Sequence, residues 1–448
     1  MTTLVIAALI EAAAAVLAPA SRPDHFSRAF TAAAAGEAVA TVRAGCARCD
    51  WGETGREAAV LRVSLDGRYS QHIVLTRGEA AADYRIALGP VTQGVHQLTI
   101  DRDARLSAAG AGPAAIDAPE ITVVKPGDGE FAALSMAPIV YARPNTVGKF
   151  TDVPLLMWYE IERTPRGRQY RYSVIFSNED GGTKTDRLMA TWGRTTDIEF
   201  VYGVELDEGG RVLAEEFQGP GHEVPAFKGR HEGRHPLQWV STDNNMVSES
   251  GPTRIRYALV PARFDLAVEA REAVMDANPW TYAVASVEMR REGKIADDPP
   301  PGINQIPDPR RFVFVEACGQ ADHAALAISV ASRQSSGFSR QSSAGDLTWT
   351  PSDRGLSQYR IVRHGCFTIA TPLPAGTRPS DIRAIRVHAF DAAPAKGGGP
   401  AAPGVVNLTR INKVFMLDEA YLPGRSLLHW EGSAAVPAGG APYEVKIP

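Results

Sequence analysis

Residues 176–207 read FSNEDGGTKTDRLMATWGRTTDIEFVYGVELD. Two β-like runs and two glycine turns make this stretch part of a sheet. It also carries the densest set of polar residues with chemical potential. Within it, Thr196-Asp197-Ile198-Glu199-Phe200-Val201 sets two carboxylates two residues apart. Side chains alternate along a strand, so both point to one face, roughly 6–7 Å apart.

The surrounding sequence is patterned the same way. Leu61-Arg62-Val63-Ser64-Leu65 alternates, Asp66-Gly67 is a hairpin signal, and residues 69–75 return as the partner strand. Residues 84–88 and 95–100 are two more strands, punctuated by Gly89-Pro90 and Gln93-Gly94. Short strands at this spacing predict a β-sandwich over residues 36–121. Residues 122–135 read as a linker and residues 21–35 as a flexible lead. A central β-sandwich follows over residues 136–295, with strands at 138–141, 155–162, 169–177, 197–206, 211–217, 237–241 and 254–260. Two short helices, 266–275 and 282–291, close it; the second ends in basic residues before Gly293. The run Asp297-Asp298-Pro299-Pro300-Pro301-Gly302 is a stiff linker. Residues 308–448 form a C-terminal β-sandwich with strands at 311–317, 324–331, 359–369, 382–390 and 405–417, and a mobile loop at 394–403. The expected fold is therefore all-β: a central sandwich with two short helices, flanked by smaller sandwiches.

Composition narrows the partners. A net charge of -4 with no basic block argues against nucleic acid, because phosphate contacts need clustered Lys and Arg. The four cysteines fall as Cys46 with Cys49 and Cys318 with Cys366, read as two disulfides. Residues 1–20, an apolar run ending in Ala18-Pro19-Ala20, are read as an export signal, although no cation precedes the run and Glu11 interrupts it. A short amphipathic helix is the alternative. The run is too short to span a membrane, and no other candidate follows. A secreted or periplasmic protein is the expectation.

The candidate chemistry clusters in the central region. Asp197 and Glu199, with Asp243, Asn244 and Asn245, supply oxygens that suit a hard cation such as Ca²⁺ or Mg²⁺ if their strands lie side by side. The polar loop 241–246 after an apolar strand is of the kind that carries binding residues. His222, in a turn-rich segment, and His235 are further candidates. His231-Glu232-Gly233-Arg234-His235 has metalloprotease spacing, but Gly233 and Pro236 argue against the helix it needs. A glycosidase needs two carboxyls about 5 Å or 6.5–9.5 Å apart, which Asp197 and Glu199 suit as acid and base. Trp192 is one of several central aromatics that either stack on sugar rings or fill the core.

Three segments carry a family resemblance. Ala137-Pro138-Ile139-Val140-Tyr141, Thr196-Asp197-Ile198-Glu199-Phe200-Val201 and His235-Pro236-Leu237-Gln238-Trp239-Val240-Ser241 resemble, in order, motifs of the vacuolar-protein-sorting-like β-sandwich proteins related to necrosis-inducing proteins. The resemblance covers about residues 137–245. It implies a divalent-cation site that contacts sphingolipid sugar heads, with Asp197 and Glu199 as ligands. Arg194 stands near the position of that family's upstream His, and Ile198 replaces its Trp. A guanidinium cannot ligate a metal but pairs with carboxylates, so an Arg194 ion pair with Asp197 or Glu199 competes with the metal site. The leading functional expectation is recognition of extracellular carbohydrate or glycolipid, assisted by a cation. A glycoside hydrolase and a membrane-active protein are the alternatives.

Overall fold

A computed structural model describes residues 23–144, 146, 148–179, 181–333, 347–392 and 403–448. Strands hold 46% of the described residues against 10% in helices, so the fold is all-β. The expected export signal at residues 1–20 and nearly all of the 394–403 loop lie outside the described residues.

The strands form three pairs of facing sheets. In the first pair, one sheet orders His25–Ala32, Gly94–Arg102, Val60–Leu65 and Arg68–Val74. The other orders Ala82–Val91, Gly36–Cys46 and Ala114–Ile116, with Glu120–Val124 also on Gly36–Cys46. Leu61 and Val63 point into the shared core while Arg62 is exposed, as the alternation requires. Asp66 and Gly67 turn the hairpin at φ 51° and 73°, the left-handed pair that a two-residue hairpin needs. The supposed flexible lead is an edge strand, since Phe26 and Phe30 of His25–Ala32 pack on this core. The supposed 122–135 linker is also ordered, as the end of a strand and the helix Phe131–Ser135.

The central pair positions the site. One sheet runs Val212–Glu216, Ile198–Leu206, Gly167–Phe176, Pro154–Thr164 and Ala262–Arg263. The facing sheet is built on His231–Glu232, His235–Val240, Ile139–Tyr141 and Arg256–Tyr257, with Val247–Ser248 on His235–Val240. The strand predicted over 254–260 shrinks to Arg256–Tyr257. All nine residues of Ile198–Leu206 are buried. Its neighbour pairs Tyr172 with Tyr202 and Ser173 with Phe200, which leaves Val201 as the extra residue of a bulge. Val201, Tyr202 and Val204 all face the inner core, whereas Ile198 packs outward on the next pair of sheets. The bulge therefore swaps the phase of the strand and turns Asp197 and Glu199 to the inner side, at the end of the sandwich.

The C-terminal pair orders Gly365–Pro372, Phe312–Asp322, Val405–Phe415 and Trp430–Pro437 against Leu347–Pro351, Ala324–Arg333, Ile382–Asp391 and Tyr443–Lys446. The outer face of its first sheet, with Phe312, Phe314 and Phe415, packs on Trp158, Ile175, Met189 and Ile198. This apolar seam fixes the C-terminal pair against the strand that carries Glu199. Both expected disulfides are present, Cys46–Cys49 and Cys318–Cys366, with Cα–Cα distances of 5.4 and 3.9 Å.

The helices differ in part from expectation. Trp280–Arg291 is present and stops at Gly293, φ 68°. The helix expected at 266–275 is Ala273–Ala277; Leu266 ahead of it packs on the apolar seam from an irregular segment. Thr185–Trp192 is a helix inside the stretch read as two strands and turns. It is closed by Gly193 in the left-handed conformation, φ 58°, whose N–H donates to the Met189 carbonyl at 3.0 Å. Among the described residues, no helix is long and apolar enough to cross a membrane.

Candidate functional site

A cleft of about 390 Å³ opens where the end of the central sandwich meets the C-terminal sheets. Its floor is the start of the bulged strand, with Asp197 and Glu199, flanked by Glu179, Gln218, His222 and Asn244. The helix Thr185–Trp192 supplies Leu188 and Trp192, and the segment before Ala273–Ala277 supplies Arg271 and Glu272. The C-terminal sheets add Arg363, Cys366 and Phe367. Cys366 is one half of the Cys318–Cys366 disulfide, so this bond anchors the segment that presents Arg363.

The floor rests on a buried polar network. Asn245 is fully buried with φ 54°, a left-handed conformation that asparagine tolerates. Its amide donates to Asp197 at 3.1 Å, and to Asp152 and the Asn178 carbonyl at 3.2 Å each. Asp152 pairs with Arg143, which also holds Asp243. On the other side Gln218 donates to Glu199. Glu179 accepts from the Thr183 N–H at 2.8 Å, which fixes the turn into the helix.

Arg194 sits at the back wall and is buried. Its partners are Glu272 and, through Nε, the Thr196 carbonyl at 3.0 Å. Glu272 also accepts from Thr368 Oγ1 at 3.1 Å. The expected competition of Arg194 for Asp197 or Glu199 is thus resolved in favour of a third acid, 78 residues along the chain.

The floor carboxyls keep Asn245 and Gln218 as hydrogen-bond partners and act on each other electrostatically. Burial, then the Glu199 charge beside it, raises the Asp197 pKa well above its ordinary value. Burial also raises Glu199, against the pull of Arg194 and Arg271. Both carboxyls therefore hold a proton more readily than they would in water. Burial, with Asp197 nearby, pushes Glu179 up to about 8.

Asp197 and Glu199 form the buried floor of the cleft, held by Asn245 and Gln218, with Arg194 and Arg271 acting on Glu199 through space. Among the described residues, no group of three or more His, Cys, Asp or Glu side chains is placed to hold a metal.

The other predicted residues divide. Trp192, His222 and Asn244 line the cleft with Arg194. Asn245 supports it from beneath, and the exposed Asp243 is held by Arg143 instead of facing it. His235 lies elsewhere. It is buried between the Ala137 carbonyl, at 2.8 Å, and Glu37 of the first sheet pair, at 3.2 Å, so it joins two parts of the fold. Trp239 is buried and stacks on Tyr141 with centroids 4.3 Å apart. Sequence reasoning missed Arg271, Glu272 and Arg363. No local motif marks them, and only tertiary packing brings them to the cleft.

No family model matches the chain, and no curated protein matches it. Among solved structures, the EclA C-terminal domain, a sugar-binding protein, shares 18% identity over 24% of this chain and 81% of that one, with a TM-score of 0.17. A likeness that slight carries no argument about what this chain binds.

Proposed function

We propose that the cleft binds a carbohydrate without hydrolysing it. The observation that carries this reading is the joint placement, in one cleft, of a partly exposed indole and polar side chains suited to hydroxyls. Trp192 is partly exposed there, beside Glu199, Asn244 and His222. Such a set orients a polyol through hydrogen bonds while the ring stacks on a sugar face. The fixing of both floor carboxyls by Asn245 and Gln218 favours binding over turnover. The two disulfides favour an exported protein that meets glycans outside the cytoplasm. The resemblance of residues 137–245 to proteins that contact sphingolipid sugar heads agrees with a glycan ligand, here without their cation.

A glycan array probed with the full chain, followed by calorimetry on the best ligand, tests the proposal. Binding is expected to survive EDTA, to release no reducing ends, and to weaken about tenfold in Trp192→Ala, a loss of about 1.4 kcal/mol. Reducing ends that vanish in Glu199→Gln would restore the hydrolase reading. Binding abolished by EDTA would restore the cation.

A further inference from the structure

The cleft has three guanidinium groups and only one of them is satisfied. Arg194 is held by Glu272 and the Thr196 carbonyl. Among the described residues Arg271 makes no hydrogen bond or ion pair, although Glu199, Glu272 and Glu160 act on it through space. Arg363 gives one hydrogen bond, to the Thr191 carbonyl at 2.5 Å, and lies over the Trp192 ring at 5.4 Å, with no carboxylate partner. Arg271 reaches solvent and Arg363 is half-buried.

The acids around them offset this charge only through space: Glu199, Glu272 and Glu160 act on Arg271 and Glu272 on Arg363 without pairing with either. Glu272 is engaged by Arg194 and Thr368. Asp197 and Glu199 are fixed by Asn245 and Gln218. Burial, with Arg194 and Arg271 nearby and against the pull of Glu272, takes Arg363 down to about 10. Cations crowded in this way favour an anion between them. A guanidinium offers a planar fork of N–H donors that fits carboxylate and sulfate oxygens in pairs.

We infer that the ligand is an acidic saccharide, whose carboxylate or sulfate is gripped by Arg271 and Arg363 while its ring lies against Trp192. This rests on the carbohydrate reading above and narrows it to one class. A neutral sugar would leave the spare N–H donors of both guanidinium groups without a charged acceptor, while a free inorganic anion would leave the indole unused. Arg363 already stacks on Trp192, so the anion subsite and the ring subsite adjoin.

The test uses the full chain on an array of matched pairs: oligogalacturonates with their methyl esters, and sulfated oligosaccharides with their desulfated forms. Acidic members are expected to bind and their neutral partners to bind at least tenfold more weakly. Arg271→Gln and Arg363→Gln should each weaken binding about tenfold or more, and Arg363→Lys should recover part of the loss. Equal binding of both members of each pair, or full affinity in both glutamine variants, would overturn the acidic ligand and leave the carbohydrate reading standing. No binding by any member would overturn both. The esterified and desulfated ligands keep the test decisive even if an arginine variant fails to fold.

Discussion

Glu288→Gln is expected to make the protein more stable at neutral and alkaline pH, although it removes a charge beside an arginine. Glu288 lies on Trp280–Arg291 with no exposed surface. Its Oε2 accepts from Trp51 Nε1 at 2.9 Å, and Arg291 stands 3.6 Å from Oε1. Burial pushes this carboxyl from its ordinary 4.5 up to about 8, against the pull of Arg291. The folded pKa is the higher one, so the stability this group contributes is complete below about pH 4.5 and is lost as pH rises through about 8. The gap between 4.5 and about 8, at about 1.4 kcal/mol per pH unit, makes a loss of about 5 kcal/mol by pH 9, of which about 3 is gone by pH 7. The amide keeps an acceptor for Trp51 and does not ionise. Urea unfolding of both proteins, followed by tryptophan fluorescence at pH 4.5, 7 and 9, reads the effect. Comparing the two proteins at each pH cancels the other raised carboxyls, Glu179 and Glu316 among them. The stability difference should move in favour of the variant by about 3 kcal/mol between pH 4.5 and 7. Parallel curves would show that Glu288 is ionised in the folded protein, and the reasoning would fail.

Changes at three further places, Gly193, the Cys318–Cys366 link and Asn245, probe the walls of the cleft. Gly193→Ala puts a Cβ 2.4 Å from Thr368 Cγ2 at a φ of 58°; a loss on the order of 2–4 kcal/mol is expected, and an unchanged urea midpoint would sink the account of this helix end. Cys318→Ser with Cys366→Ser opens a link spanning 48 residues; loop entropy puts the cost at about 4 kcal/mol, and binding of an acidic glycan should fall with it because Arg363 loses its anchor. Asn245→Ala removes the donor shared by Asp197, Asp152 and the Asn178 carbonyl and should cost about 2–3 kcal/mol. Asn245→Gly, which relieves only the left-handed backbone, should recover no more than about 1 kcal/mol of that; full recovery would mean that the hydrogen bonds contribute nothing.

What the sequence made legible follows from local physics. The Asp66-Gly67 hairpin, the two cysteine pairs and the helix ending at Gly293 are each written within a few residues of where they act. Edge strands were harder. His25–Ala32 has one face exposed, and its few apolar contacts, Phe26 and Phe30, look incidental in sequence. The helix Thr185–Trp192 hid because eight residues between glycines are shorter than the stretch over which a helical period is read. The opposite error occurred at residues 266–275, where apolar spacing reflected burial at a junction between sheets and not a helical face. The two floor carboxyls were legible as a pair. Their environment was not, because Glu272 and Arg363 come from distant segments.

Arg194 shows how much depends on such distant partners. In sequence it is the cation nearest to Asp197 and Glu199, and the choice was between a metal it excludes and an ion pair it forms. In the fold it does neither. Glu272 offers a carboxylate already steadied by Thr368 Oγ1 at 3.1 Å, whereas Asp197 and Glu199 act on each other, so that pairing with one would leave the other charge buried near it. The arginine therefore goes to the acid that stands apart from that pair. Arg271 and Arg363 are then the guanidinium groups of the cleft that, among the described residues, no carboxylate pairs with. On the acidic-saccharide proposal, a single buried ion pair decides which guanidinium groups are left to meet an anion.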